Sequence, residues 1–253
     1  MLLKTIKTEK LTTYVYDTRA EMGKAAGIAA AEAINGIIAK KGYANVIFAA
    51  APSQNETLAA LLAEDVDFSK IHAYHMDEYA GLGLEDEQSF ARYLSDHIFS
   101  KAPFASVNYL PAKLDADEAC EAYADLLRKN PPDVVCMGIG ENGHIAFNDP
   151  PVADFNDIKL VKKVELDDTC RMQQVHDGCF PTFDDVPKYA LTLTVPALMS
   201  AAHLICTVPA PTKANAVKAM LEGEYGEVCP ATALRKHKSA RMFLDSDSAA
   251  KVL

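Results

Sequence analysis

Two stretches concentrate the residue types that move protons: His75-Met76-Asp77-Glu78-Tyr79, and Gly138-Ile139-Gly140-Glu141-Asn142-Gly143-His144-Ile145-Ala146-Phe147-Asn148-Asp149. A carboxylate such as Asp77 can take a proton from carbon and return it. The imidazole of His144 suits proton shuttling near neutral pH, with Asp149 a nearby carboxylate. Other positions suit an anion. Ser53-Gln54-Asn55 stands where a helix is expected to begin, which gathers a hydroxyl and backbone amides, and Lys213 opens a later helix after Pro209-Ala210-Pro211. Each has an ordinary alternative: Asp77 and Ser53 as caps, His144 as a core histidine, Asn142-Gly143 as a tight turn, Lys213 as a solvated helix residue. Convergence of the loops favours the chemical reading, and convergence depends on the fold.

Gly138, Gly140 and Gly143 spell G-x-G-x-x-G after the apolar run 133–137, the spacing of a dinucleotide loop. Such a loop opens into a helix whose first amides hold the pyrophosphate. Here the chain runs instead through Asn148-Asp149 into Pro150-Pro151, and no ribose-binding acid stands about 20 residues on. The loop is therefore expected to present His144 rather than a nucleotide.

The elements that must position these residues alternate. Strands are expected at Leu11–Tyr16, Val46–Ala50, Ile71–Met76, 133–137, Tyr189–Val195 and Leu204–Val208. Helices are expected from Asp17 or Thr18 to Gly42, from Asn55 or Glu56, over Ser89–Phe99, Asp115–Lys129 and Lys213–Leu221. Strand followed by helix, repeated, predicts an α/β fold: a Rossmann-like, mostly parallel sheet with helices on both faces. Ligands of such sheets bind outside the carboxyl ends of the strands. A chain of 253 residues suits one such domain, and the proline-containing stretch 149–187 reads as a lid or small insertion.

A formal charge of −10 argues against a nucleic-acid surface, and the basic cluster Arg235-Lys236-His237-Lys238 is short. An anionic substrate must then be met by a local positive site. The six cysteines form no C-x-x-C pair and no metal-ligand spacing, so they read as reduced thiols. No signal-peptide core and no run of membrane-spanning length is evident, which points to a cytoplasmic chain without a membrane partner. The sequence leaves a homo-oligomer open.

The segments His75–Leu82 and Gly138–Pro150 resemble the two signature segments of the glucosamine-6-phosphate deaminase (isomerase) family. They are closer to the Asn-Gly-His variants that include galactosamine-6-phosphate deaminase/isomerase. Val186-Pro187-Lys188-Tyr189-Ala190-Leu191-Thr192 and Thr212-Lys213-Ala214 resemble later segments, so the resemblance spans most of the chain in order. It implies a Rossmann-like fold and a phosphorylated amino sugar as partner. It also implies a reaction needing neither cofactor nor metal: glucosamine 6-phosphate and water give fructose 6-phosphate and ammonia.

By the same resemblance Asp77 is the acid/base between C2 and C1, and His144 assists ring opening with Asp149 as its carboxylate. Gly140 and Gly143 shape the sugar site, and Lys213 is the phosphate lysine. Ser53 and Gln54 take the phosphate loop by position, and Arg171 is the nearest counterpart of the phosphate arginine. Asn142 replaces the usual aspartate, and Asp149 is one methylene shorter than the usual glutamate. Related 6-phosphogluconolactonases typically continue His-Thr-Ala-Ser-Leu-Phe, whereas this chain has His144-Ile145-Ala146-Phe147-Asn148. Galactosamine 6-phosphate as substrate, a lactonase, and a non-catalytic sugar-phosphate sensor remain the alternatives, in that order.

Overall fold

The protein is described by a computed structural model covering residues 1–176 and 178–253, apart from the side chains of residues 169, 170 and 173. The strands are β1 (Leu2–Thr8), β2 (Leu11–Tyr16), β3 (Ala44–Phe48), β4 (Ile71–His75), β5 (Asp77–Tyr79), β6 (Ser106–Asn108), β7 (Val134–Met137), β8 (Val161–Glu165), β9 (Tyr189–Leu193), β10 (His203–Val208) and β11 (Ala240–Leu244). The α-helices are α1 (Arg19–Lys41), α2 (Asn55–Ala63), α3 (Phe90–Leu94), α4 (Ala116–Lys129), α5 (Asp168–His176), α6 (Val195–Met199) and α7 (Ala214–Glu222).

The main sheet runs β1-β2-β11-β10-β7-β3-β4-β6 and is parallel except for the β1–β2 pair. Its central strands are apolar on both sides because both sides are covered. Val46, Phe48, Val134 and Cys136 pack toward apolar residues of α1 and α2, while Ile47, Val135 and Met137 join residues of α4, α6 and α7. The expected parallel sheet with helices on both faces is what forms.

From β3 the sheet grows outward through β4 and β6, and from its neighbour β7 it grows the other way through β10 and β11. The connections after β3 and β7 therefore diverge, and a crevice opens between them at the carboxyl edge of the sheet.

Several elements differ from the sequence expectation. Of the two expected cap candidates for α1 it is Thr18 that serves, its Oγ1 accepting the Glu21 amide at 3.3 Å. The helix expected at 89–99 starts on the Ser89 cap but widens into a π-type turn over Ser95–Phe99. The strand expected at 189–195 forms over Tyr189–Leu193, yet it leaves the main sheet and centres a second, antiparallel one ordered β5-β9-β8. The stretch 149–187, expected as a lid or small insertion, contributes β8 and α5 to this smaller unit. β1, β5, β6, β8 and β11 were not expected. A third apolar cluster, with Tyr79, Phe147, Val164, Phe180 and Val186, sits beneath it.

Candidate active site

Met76 is the single residue between β4 and β5, so Asp77 stands where the chain passes from the parallel sheet into the antiparallel one. It lines a cleft of about 200 Å³ at the carboxyl edge, together with Ser53, Gly140, His144 and Lys213. Asp77 is nearly buried, and burial raises its pKa well above the usual carboxylate value, with the charge of Glu78 adding to the effect.

Successive residues of a strand point to opposite sides. Glu78 accordingly turns away from the cleft: its Oε1 accepts the amides of Tyr79 at 2.9 Å and Phe90 at 3.1 Å, and its Oε2 that of Ala91 at 2.8 Å. Burial pushes Glu78 up to about 7 against those three donors. His75 has a structural environment as well. Its Nε2 accepts the Leu110 amide at 2.6 Å, which places the neutral ring's proton on Nδ1, and burial drives its pKa down to about 3.

The loop after β7 folds around the histidine. Gly140 donates its amide to the His144 carbonyl at 2.9 Å, and Gly143 adopts φ +82°, a left-handed turn that favours glycine. Asn142 braces the loop twice: its Oδ1 accepts the His144 amide at 3.0 Å, and its Nδ2 donates to Asp149 Oδ1 at 2.8 Å. The same Asp149 oxygen lies 3.0 Å from His144 Nδ1, at ion-pair distance but without hydrogen-bond alignment. Asp149 is buried, so its charge acts on the imidazole through little solvent.

Thr192 ties this loop to the strand of the base. It pairs in register with Asp77, and its Oγ1 accepts the Phe147 amide at 3.1 Å. Asn148 adds two bonds from its side-chain amide, to the Ile145 and Leu193 carbonyls at 2.9 and 2.8 Å. Asp77 and His144, from two different strand ends, thus line one cleft, and Asp149 stands beside His144 on the same loop.

The cleft also takes in the starts of two helices. Pro52–Gln54 make a single 3₁₀ turn leading into α2, and Pro211–Lys213 make another leading into α7. Both turns line the cleft, and with them come Ser53, Thr212 and Lys213. Gln54 also belongs to the cleft wall, where it is buried: its Nε2 donates to Ser53 Oγ at 3.1 Å and to the Thr207 carbonyl at 3.3 Å. Ala210, just before the Lys213 turn, holds φ +84°, and its amide donates to the buried Asp245 at 3.0 Å. A non-glycine residue in that region is strained, and such strain gathers at ligand sites.

Arg19 also lines the cleft, a cation that sequence reading missed. Its Nε bonds Glu56 at 2.9 Å and its Nη2 the Pro52 carbonyl at 2.5 Å, beside the Ser53 turn. One signal was available: a cation at the first position of a helix opposes the macrodipole and calls for another reason to be there. Arg171, by contrast, is not among the cleft residues. It is buried in α5, donates from Nη2 to the Phe183 and Val186 carbonyls at 2.8 and 2.9 Å, and lies over the Phe183 ring at 3.9 Å. That geometry braces α5 against the return of the chain. Gln174, on the next turn, reaches the cleft instead.

A family model of glucosamine-6-phosphate isomerases and 6-phosphogluconolactonases matches residues 17–243. This chain belongs to that family. The glucosamine-6-phosphate deaminase of Bacillus cytotoxicus is 32% identical over 217 residues, spanning 85% of this chain and 80% of that protein. The deaminase of Bacillus cereus (strain B4264) is 34% identical over 192 residues, 75% of this chain and 71% of that one.

Among solved structures, a monomeric glucosamine-6-phosphate deaminase superposes with a TM-score of 0.87 at 28% identity, covering 94% of this chain and 99% of the other. The 6-phosphogluconolactonase of Thermotoga maritima superposes with a TM-score of 0.76 at 20% identity, covering 93% and 100%, a likeness of fold alone. Both named structures thus share the fold of this chain, and the two named Bacillus deaminases share about a third of its sequence over the aligned residues. No helix among the described residues is long and apolar enough to cross a membrane.

Proposed function

We propose that the protein converts glucosamine 6-phosphate and water to fructose 6-phosphate and ammonia. The observation that carries this is the buried Asp77 carboxyl facing the same cleft as the His144–Asp149 pair, with Thr192 joining their segments. Lys213, Ser53, Thr212 and Arg19 supply cations and hydroxyls at the other end, and take the 6-phosphate. That binding lays C1 and C2 toward Asp77 and O5 toward His144.

The chemistry then runs in proton steps. His144 carries a proton from O1 to O5 as the pyranose opens, and Asp149 steadies the imidazolium formed in transit. Asp77 removes the C2 proton to give an enolamine and returns it to C1, leaving an imine at C2. Water adds to that imine and the C–N bond breaks to release ammonia. A carboxyl with a raised pKa is the better base for a carbon acid, provided it is ionised when substrate arrives.

Galactosamine 6-phosphate is the second reading, suggested by Asn142 in place of the usual aspartate. The deciding experiment is ammonia release from glucosamine 6-phosphate, galactosamine 6-phosphate and their N-acetylated forms, with 6-phosphogluconolactone hydrolysis as control. Ammonia from the free amines alone supports the reading. Lactone hydrolysis without ammonia release refutes it.

A further inference from the structure

We propose that Gln174, on α5, binds the C3–C4 hydroxyl edge of the sugar phosphate and thereby sets which C4 epimer the site accepts. This deepens the deaminase reading above and rests on it. Gln174 is only 7% exposed, yet it lines the cleft, and its carboxamide has no hydrogen-bond partner among the described residues. A carboxamide that opens on the cleft with no partner in the protein is left to bond whatever fills that space, water or a ligand.

The remaining polar side chains of the cleft have other work. Gln54 spends its Nε2 on Ser53 and Thr207, and its Oε1, though unpartnered, is sealed from the cleft space. Asp77 and His144 are taken up by the proton steps proposed above, and Ser53, Thr212, Lys213 and Arg19 by the 6-phosphate, all of them lining the same cleft. Of a hexosamine 6-phosphate, O3 and O4 are then left unmatched. A carboxamide offers two donors and an acceptor, which suits hydroxyls that both give and take hydrogen bonds; a phosphate oxygen can only accept.

The mounting of Gln174 is rigid enough for this task. Arg171, one helical turn earlier, fastens α5 to the Phe183 and Val186 carbonyls, and the Cys179 amide closes the helix end on the Gln174 carbonyl at 2.9 Å. Donors fixed in advance against a substrate hydroxyl reject an analogue that lacks or inverts it.

The test uses Gln174→Met and Gln174→Leu, both close in volume, with thermal melts to verify folding. Steady-state kinetics on glucosamine and galactosamine 6-phosphates are paired with calorimetric binding of both sugars and of inorganic phosphate. Loss of two hydrogen bonds at about 1 kcal/mol each predicts a rise of roughly 10- to 30-fold in KM for the preferred epimer with little change in kcat. The kcat/KM ratio of the epimers should fall toward one, and inorganic phosphate should bind as before. Unchanged sugar affinity and epimer ratio would overturn the assignment, and so would an equal loss of affinity for inorganic phosphate. A wild-type protein that releases ammonia from neither sugar refutes the deaminase reading instead, and the binding arm still decides the role of Gln174.

Discussion

The Cα of Gly140 lies against the imidazole of His144 so closely that a Cβ there would stand 2.1 Å from Cε1 and 2.3 Å from each ring nitrogen. The ring therefore occupies the space a side chain would fill. Gly140→Ala is expected to displace the imidazole by the better part of an ångström while leaving the sheet intact. Misplacement on that scale lowers kcat by about 100-fold. Crystallography of the variant should find the ring shifted, and a normal kcat would mean that ring opening does not depend on His144.

Asp77→Asn separates activity from stability. The amide cannot accept the C2 proton, so turnover should fall by at least about 100-fold with sugar-phosphate binding retained. Stability should move the other way. The folded pKa of Asp77 is raised by burial, so the wild-type contribution is fullest below the unfolded value and is lost as pH rises through the folded one. Melting temperatures measured from pH 5 to 8 should therefore decline less steeply for Asp77→Asn than for the wild type. Identical slopes would place the titration elsewhere, with Glu78, which burial pushes up to about 7, the next group to replace.

Asn142→Asp would set a second carboxylate where Nδ2 now donates to Asp149 at 2.8 Å. Two carboxylates at that distance cannot both ionise, so one keeps a proton and the brace survives as an acid–carboxylate pair. The variant should stay active with its pH-rate profile displaced. Asp149→Asn, which removes the buried charge beside His144, should cost about 100-fold or more in kcat. If Asn142→Asp instead alters the ratio of glucosamine to galactosamine 6-phosphate turnover and leaves the pH profile in place, the residue bears on specificity.

Lys213→Ala and Arg19→Met should each weaken inhibition by inorganic phosphate, by about 1.5 to 3 kcal/mol for the loss of a charge-assisted hydrogen bond. Arg171→Met should not, because its guanidinium serves the Phe183 and Val186 carbonyls; it should lower the melting temperature and raise KM for the sugar. Phosphate inhibition weakened by Arg171→Met would restore that residue to the phosphate site.

The parallel sheet was legible because β3, β4, β7 and β10 are short, mostly apolar runs set between segments of helical spacing. The strands that escaped lack that pattern. β1 is a mostly exposed edge with lysines, and β8 reads Val-Lys-Lys-Val-Glu at the edge of its sheet, with Lys163 and Glu165 exposed. For the site, Asp77, His144 and Lys213 could be named because their loops follow strand ends. Arg19 and Gln174 could not, since their approach to the cleft depends on how α1 and α5 are placed in three dimensions. Arg171 illustrates the converse: its residue type suited phosphate, and packing gave it to backbone carbonyls.

The passage of the chain through Met76, from the last residue of β4 to the first of β5, makes this site hard to move. Grafting the loop 138–149 onto another doubly wound sheet would carry the histidine and its carboxylate but leave behind the base, which is registered against Thr192 in a different sheet. A working transplant would have to bring β5, β8 and β9 along with the host strand they join, so the smallest portable unit is the junction of the two sheets rather than any single motif.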